Sequence, residues 1–290
     1  MKKTVLCIII TALMFALLEP VSKLVSASID PTVITFTRFL IGGVFLLPFS
    51  LLAIKKNKIR LTAKAHLLMA GMGILLICVS MQLLQFSVKL SQSPATVAII
   101  FSCNSVTTII ISAVFQKYKI TLQKILALIL CITGIIICAF ESLLGSAGKV
   151  SMILAILSAI TFSIYSVLNK QLAQRIRTEV SLSYSFIYGS TVLLIYLLIQ
   201  GVNPIEGLNT SNVLYILILG IGVTGIGYLA YLTAIKTSSA VNASFAFFIK
   251  PIIAPFLAYI IVGQPFSKLV FIGLVPVMVG LYLANYYKVC

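Results

Sequence analysis

The chain has 290 residues, of which 61% are hydrophobic and 9% charged, and its formal net charge at pH 7 is +16. A soluble domain carries charges at about a quarter of its positions, so the composition excludes a soluble protein and predicts a polytopic helical membrane protein. A transmembrane β-barrel would alternate polar and apolar residues in segments of about ten, whereas this sequence contains unbroken apolar runs such as 150–167 and 213–235.

Ten apolar runs follow one another along the chain, each near the length that a tilted transmembrane helix needs. Their approximate cores are 4–26, 32–54, 66–88, 94–116, 122–141, 149–169, 180–200, 212–234, 240–262 and 268–287, and the divisions at 88–94 and 236–240 have the weakest loop signals. The first run resembles a signal peptide at its start. It continues past Pro20 without a small-residue cleavage site, which favours a first transmembrane helix.

The basic residues predict the orientation of these runs. If the N-terminus is cytoplasmic, the inside positions hold Lys2, Lys3, Lys55, Lys56, Lys58, Arg60, Lys64, Lys117, Lys119, Lys124, Lys170, Arg175, Arg177, Lys236 and Lys288, and the outside holds Lys89, Lys149 and Lys268. By the positive-inside rule, this bias of fifteen to three places both termini in the cytoplasm of a cell-membrane protein. Positive charge confined to short loops also argues against a nucleic-acid partner.

The sequence repeats itself at a shift of 147 residues. The shift aligns Phe15 with Phe162, Lys23 with Lys170, Phe39 with Phe186, Gly42 with Gly189, Gly73 with Gly220, Lys89 with Lys236 and Ser91 with Ser238, and Gly134 meets Gly280 after a one-residue slip. Each half has an odd number of spans, so the second must begin on the opposite face of the membrane. We therefore predict an all-α membrane protein of ten transmembrane helices, arranged as two inverted five-helix repeats at 1–146 and 147–290.

Short motifs in the same order resemble the EamA-type transporters of the drug/metabolite transporter superfamily. They are Arg38-Phe39 in the second run, the stretch 234–240, Pro251 in the ninth run, the stretch 263–267 and Gly280. The resemblance covers essentially the whole chain. It implies two halves around a central cavity and export of small metabolites, often amino acids or amphipathic compounds.

Three positions depart from the family pattern. Lys250 stands where the family often has Glu before the ninth-helix proline, Gln264 replaces a Glu, and Asn104 replaces a proline of the fourth helix. Substrates of the better-known members therefore transfer poorly to this chain.

Four ionisable residues, Glu19, Lys23, Arg38 and Lys250, fall within apolar runs. A charge at membrane depth costs about 2.5–3.5 kcal/mol on insertion scales, so it faces a partner or a water-filled cavity. Glu19 and Lys23 have the order and spacing that favour an ion pair on one helical face, and Pro20 between them allows a kink. Glu19 is either part of a structural pair near the outer surface, with Lys23 reaching outward, or a cavity-facing site for a coupling proton or a substrate amine.

Arg38 and Lys250 are the cationic candidates for substrate binding. Arg38 either bonds helix ends or lipid headgroups, or holds a carboxylate or phosphate through two parallel hydrogen bonds. Lys250 lies near mid-membrane before Pro251 and Pro255, and it either pairs with Glu19 or receives an anionic substrate group. The excess of positive charge favours a carboxylate-bearing or otherwise anionic substrate.

Polar and aromatic residues on neighbouring runs extend the candidate site. The polar ones are Gln82, Gln85, Asn104, Tyr165, Asn169 and Asn242, and each has interhelical hydrogen bonding as its alternative role. The aromatic candidates either stack on a ring-bearing substrate or pack against lipid. They are Tyr165, Tyr228, Tyr231, Phe245, Phe247 and Phe248.

No cofactor or metal site is predicted. The stretch 220–225 matches the dinucleotide fingerprint Gly-x-Gly-x-x-Gly, but it lies inside an apolar run with no acidic residue downstream, so we interpret its glycines as helix-packing residues. The six cysteines form no Cys-x-x-Cys pair and are interpreted as small packing residues, and the chain has a single histidine.

These features favour a secondary exporter of small metabolites that works by alternating access, as a monomer or homodimer. The chain has no Walker motif, so the driving force is a proton exchanged at Glu19 or the substrate gradient itself. A membrane-embedded enzyme acting on a lipid or lipid-linked substrate is the main alternative, and a scaffold or receptor without transport is the third. An enzyme would require clustered acids, histidines or an activated nucleophile, whereas the chain has five acidic residues and one histidine.

Overall fold

The computed structural model describes residues 2–116, 122–138, 140, 146–243, 246–265 and 267–285, and every regular element in these ranges is helical. In chain order the elements are α1 (Lys2–Ala16), α2 (Leu18–Val25), α3 (Pro31–Asn57), α4 (Ala63–Gly73), the π-helix π1 (Ile74–Met81), α5 (Gln82–Leu90), α6 (Pro94–Ser102), α7 (Asn104–Gln116), α8 (Leu122–Cys138), α9 (Ser146–Arg175), α10 (Thr178–Ile199), α11 (Val213–Leu217), the π-helix π2 (Ile218–Gly227), α12 (Tyr228–Thr237), α13 (Ala240–Ala243), α14 (Ala246–Val262) and α15 (Lys268–Asn285).

Seven helical segments of the described chain are long and apolar enough to cross a membrane. They are Lys3–Val25, Pro31–Asn57, Ala63–Leu90, Pro94–Val114, Ser146–Lys170, Thr178–Ile199 and Val213–Thr237. Three shorter apolar helices, Ile125–Cys138, Ile249–Val262 and Lys268–Leu283, lie where the fifth, ninth and tenth spans are predicted. The predicted all-helical membrane fold is confirmed at this level, while the number of ten spans stays a prediction.

The helix starts follow from capping side chains and prolines. Asp30 accepts a hydrogen bond from the backbone N–H of Thr32 at 2.8 Å, and Ser93 accepts one from the N–H of Thr96 at 3.1 Å. In both cases proline is the first helical residue, where its missing N–H has no cost. The weakly signalled division at 88–94 is therefore a helix boundary, with α5 ending at Leu90 and α6 beginning at Pro94.

Two membrane-length segments are interrupted near their middle. The first segment breaks at Leu17, three residues before Pro20, because proline has no N–H to donate to the carbonyl of Ala16. The fourth breaks at Cys103, between α6 and α7. Such breaks free backbone carbonyls in the apolar layer, a feature that membrane proteins tolerate where protein or a cavity surrounds it.

Close contacts between the halves follow the 147-residue repeat. A Cβ atom added to Gly42 on α3 would lie 3.1 Å from the carbonyl oxygen of Gly220 on π2, and one added to Gly189 on α10 would lie 2.7 Å from that of Gly73. The 147-residue shift relates Gly42 to Gly189 and Gly73 to Gly220, so the two contacts are equivalent under the repeat. Glycine at these crossings lets the backbones approach closely, as in other transmembrane helix pairs.

Some repeat-equivalent residues also touch each other. The rings of Phe39 and Phe186 have centroids 5.0 Å apart, and the hydroxyl of Tyr228 donates to the sulfur of Met81 at 3.1 Å. Both pairs are separated by 147 residues. Contacts between equivalent positions are what a two-fold relation between the repeats predicts.

The repeat includes a pair of lysine caps. Nζ of Lys23 donates to the carbonyl oxygens of Lys89, at 3.0 Å, and Ser91, at 2.5 Å, where α5 ends. Nζ of Lys170 donates to those of Ile235, at 2.9 Å, and Ser238, at 2.6 Å, where α12 ends. A cation at a helix C-terminus donates to carbonyl groups that have no partner within the helix, and it interacts favourably with the negative end of the helix dipole. The predicted pairing of Glu19 with Lys23 is therefore not formed, because these carbonyls hold the lysine.

Candidate site at a buried ion pair

A buried ion pair joins the two halves of the chain. Nζ of Lys250 on α14 donates to Oε1 of Glu19 on α2 at 2.5 Å, and both side chains have 0% exposure. The residues are 231 positions apart. Since each charge would be unfavourable alone at this depth, mutual neutralisation is what makes their burial tolerable.

Both partners lie where a helix is disturbed by proline. Glu19 is in the first turn of α2, directly after the break at Leu17, and Pro20 follows it. Lys250 precedes Pro251 in α14, which also contains Pro255. The second oxygen of Glu19, Oε2, is buried and has no hydrogen-bond partner within the described residues.

Aromatic rings surround the ammonium group of Lys250. Its nitrogen lies 4.7 Å from the ring centroid of Phe101 and 6.0 Å from that of Phe247. Cation–π attraction of this kind is worth about 2 kcal/mol where water is excluded. The rings therefore stabilise the ammonium in addition to Glu19.

Arg38 adds a second buried cation next to the pair. Its side chain has 0% exposure, and none of its three guanidinium nitrogens has a hydrogen-bond partner in the described part of the chain. Its Cζ lies 4.6 Å from the ring centroid of Phe39, and its charge interacts with those of Glu19 and Lys250. With one carboxylate and two cations, this group of three ionisable residues carries one net positive charge.

The aromatic wall beside the ionisable group is larger than the sequence indicated. Phe15 lies 5.0 Å from Tyr228 and 5.9 Å from Phe247, and Phe162 stacks on Tyr231 at 5.6 Å between centroids. Sequence reasoning identified the two tyrosines and Phe247 but not Phe15, Phe101 or Phe162 as site residues. The alignment of Phe15 with Phe162 at the 147-residue shift was the available signal.

The predicted glutamines lie on α5 and are at least partly buried. Nε2 of Gln82 donates to Oγ1 of Thr32 at 2.6 Å, which links α5 to the start of α3. Gln85 is buried, and its Nε2 has no hydrogen-bond partner among the described residues. Gln85 thus keeps a free donor, whereas Gln82 already uses its amide nitrogen between helices.

Asn104 lies directly after the break in the fourth segment. Its Nδ2 donates to the carbonyl oxygen of Phe101 at 2.8 Å, while its buried Oδ1 has no partner within the described ranges. The helix is therefore interrupted here without the proline that the family resemblance implied at this position. Because the ring of Phe101 faces Lys250, Asn104 positions a residue that contacts the ion pair.

The other three polar candidates divide into two groups. Tyr165 and Asn169 are buried on α9, where Nδ2 of Asn169 donates to the carbonyl oxygen of Tyr165 at 3.2 Å. Asn242 is exposed on α13, where its backbone N–H donates to Oγ of Ser239 at 2.9 Å. Asn242 therefore lies outside the buried group. Of the residues predicted to stack, Phe245 lies outside the described residues.

Gln264 follows α14 and takes no part in the ionisable group. Its Nε2 donates to Oγ of Ser93 at 2.7 Å. This bond ties the loop after α14 to the residue that caps α6. The glycine stretch 220–225 falls within π2, where it packs against α3.

The membrane-length apolar helices, packed around buried charges, identify an integral membrane protein. The chain belongs to the EamA-like transporter family, whose profile matches it twice, at residues 2–140 and 149–286. The resemblance seen in the sequence is thereby confirmed.

Two relatives cover nearly the whole chain. The chain is 33% identical over 287 residues to an uncharacterized transporter of Clostridium kluyveri, covering 97% of this chain and 92% of the relative. It is 23% identical over 292 residues to the uncharacterized transporter YvbV of Bacillus subtilis, covering 98% and 92%. One solved crystal structure shares the fold, with a TM-score of 0.71 at 17% identity over 98% of this chain and 97% of that chain.

Proposed function

We propose that the protein is a secondary transporter that exports small carboxylate-bearing or amino-acid-like metabolites, some of them amphipathic. It works by alternating access between two inverted five-helix halves in the cell membrane, with both termini cytoplasmic. Family membership supports transport. The repeated contacts support two related halves, and the fifteen-to-three distribution of basic residues supports the orientation.

The observation that carries the proposal is the arrangement of Glu19, Lys250 and Arg38. Glu19 already neutralises Lys250, so Arg38 is a buried cation that lies against the Phe39 ring but has no hydrogen-bond or ion-pair partner among the described residues. A planar guanidinium matches a carboxylate through two parallel hydrogen bonds. One substrate carboxylate would both satisfy Arg38 and remove the net positive charge of the group.

The ion pair also supports an alternating-access cycle. Glu19 belongs to the first half and Lys250 to the second, and neither is exposed to solvent in this conformation. Movement of the halves that opens a route to the centre separates or exposes the pair. A substrate whose charges replace the lost contacts lowers the cost of that movement, which links substrate binding to the conformational change.

Binding is tested with the purified protein and a thermal-shift screen of metabolite carboxylates, each paired with its own carboxamide. Carboxylates that bind the folded state are expected to raise the unfolding temperature, whereas the matched amides do not. Arg38→Gln is expected to lose this response, and Arg38→Lys to keep part of it because the charge remains. An unchanged response in a folded Arg38→Gln protein would remove Arg38 from the site.

Transport itself is tested in vesicles loaded with a carboxylate that passes the screen. A transporter releases the compound chemically unchanged, whereas a membrane-embedded enzyme acting on lipid or lipid-linked substrates produces a new compound. Mass spectrometry of both compartments separates these functions. Release that is equal with and without protein would refute transport of that compound.

A further inference from the structure

A second site lies away from the ion pair, in a cleft of about 570 Å³ at the end of the bundle that carries the chain's N-terminus. Both halves line it. The first half contributes residues of α1 and α3, and the second contributes Arg177 and Glu179 together with residues of π2 and α12. The cleft is therefore a seam between the halves.

The wall of the cleft is apolar and open to the surroundings of the bundle. Phe49 is 52% exposed, Leu52 66% and Ile226 41%, and all three line the cleft. Where this wall faces the bilayer, a hydrocarbon chain is the group that packs against it, because hydrocarbon has no polar atoms that would be left without hydrogen bonds.

Charge is concentrated at one end of the cleft. Lys3, Lys56, Arg177 and Glu179 all line it, and Nε of Arg177 lies 2.6 Å from Oε1 of Glu179. Within the described part of the chain, neither Lys3 nor Lys56 has an ion-pair partner. The cleft thus has two unneutralised cations beside an apolar wall.

We propose that this cleft is a binding site for an anionic phospholipid. The acyl chain lies along Phe49, Leu52 and Ile226, and the negatively charged headgroup contacts Lys3 and Lys56. Basic pockets between transmembrane helices recognise anionic headgroups by this charge complementarity. Since both halves line the cleft, the bound lipid stabilises the conformation in which they have this spacing.

The proposal is independent of transport and can be tested by fluorescence, because the chain contains no tryptophan. Phe49→Trp places a single fluorophore in the cleft wall. The full-length variant is reconstituted in phosphatidylcholine vesicles that contain phosphatidylglycerol, with bromine quenchers on the acyl chains of one lipid at a time. Quenching then reports which lipid occupies the cleft.

Brominated phosphatidylglycerol is expected to quench Trp fluorescence more strongly than brominated phosphatidylcholine at the same mole fraction. Each basic side chain near a membrane surface contributes about a fivefold preference for the anionic lipid. The preference should therefore fall steeply when Lys3→Gln and Lys56→Gln are combined. Lys55→Gln, an exposed neighbour outside the cleft, is the matched control and should keep it.

Three results would overturn the proposal. Equal quenching by the two brominated lipids would mean that bulk lipid fills the cleft. An unchanged preference for phosphatidylglycerol in the Lys3 and Lys56 double variant would exclude recognition by these residues. An equal loss of that preference in Lys55→Gln would mean that general surface charge causes the effect.

Discussion

Replacing Lys250 with methionine tests the buried ion pair most directly. The substitution keeps most of the side-chain length and its packing against Phe101 and Phe247. It removes the ammonium group, whose nitrogen donates a hydrogen bond to Oε1 of Glu19 at 2.5 Å. Glu19 then stays buried without its ion-pair partner, and of the two cations of the group only Arg38, which makes no ion pair with it, remains. Removing one partner of a buried ion pair costs about 3–5 kcal/mol, because the remaining charge is uncompensated.

The size of the effect is resolved by a double-mutant cycle. Lys250→Met and Glu19→Gln should each lower the free energy of unfolding by about 3 kcal/mol, since each leaves one buried group unpaired. The double variant lacks both charges of the pair and leaves Arg38 as the buried cation, so it should be no less stable than Glu19→Gln, which leaves two buried cations. The departure from additivity is therefore expected to be about 3 kcal/mol.

The assay is reversible unfolding of the purified protein in mixed micelles, followed by circular dichroism. Lys149→Met is the matched control, because Lys149 is exposed and a surface substitution changes stability by about 0.5 kcal/mol or less. Additive effects of the two single variants would refute the coupling between Glu19 and Lys250.

Three further predictions concern coupling, helix caps and topology. Glu19→Gln is expected to abolish the pH dependence of transport in vesicles while substrate exchange continues, and an unchanged profile would mean that coupling occurs elsewhere or is absent. Lys23→Met and Lys170→Met should each lower the free energy of unfolding by about 1–2 kcal/mol, because each cap makes two hydrogen bonds to helix-end carbonyls; a loss from only one of them would contradict their equivalence. A cysteine at Asn209 should react with an impermeant reagent added from outside, whereas one at Lys58 should not, and the reverse pattern would disprove cytoplasmic termini.

The sequence alone determined the features that depend on composition and spacing. Membrane-length apolar segments follow from hydropathy, because a bilayer of fixed thickness selects helices of a given length and polarity. The 147-residue shift identified equivalent positions, and the structure places Phe39 against Phe186. Glu19, Arg38 and Lys250 stood out because a charge within an apolar run is costly.

Only the tertiary structure decided which charges are partners. Local spacing favoured Glu19 with Lys23, but the carbonyls at the end of α5 hold Lys23, and Lys250 reaches Glu19 instead. The sequence left two roles open for Lys250, pairing with Glu19 or binding an anionic substrate group, and the structure shows the pair with Glu19.

The cause is that α2 meets α14 only after the two halves have packed. Contacts between residues 231 positions apart leave no periodic signal in a single sequence. The same packing brings the ring of Phe101 to Lys250 and leaves Asn242 exposed. Hydropathy selects the residues that enter the membrane, and the packing of helices from distant parts of the chain selects the neighbours they meet there.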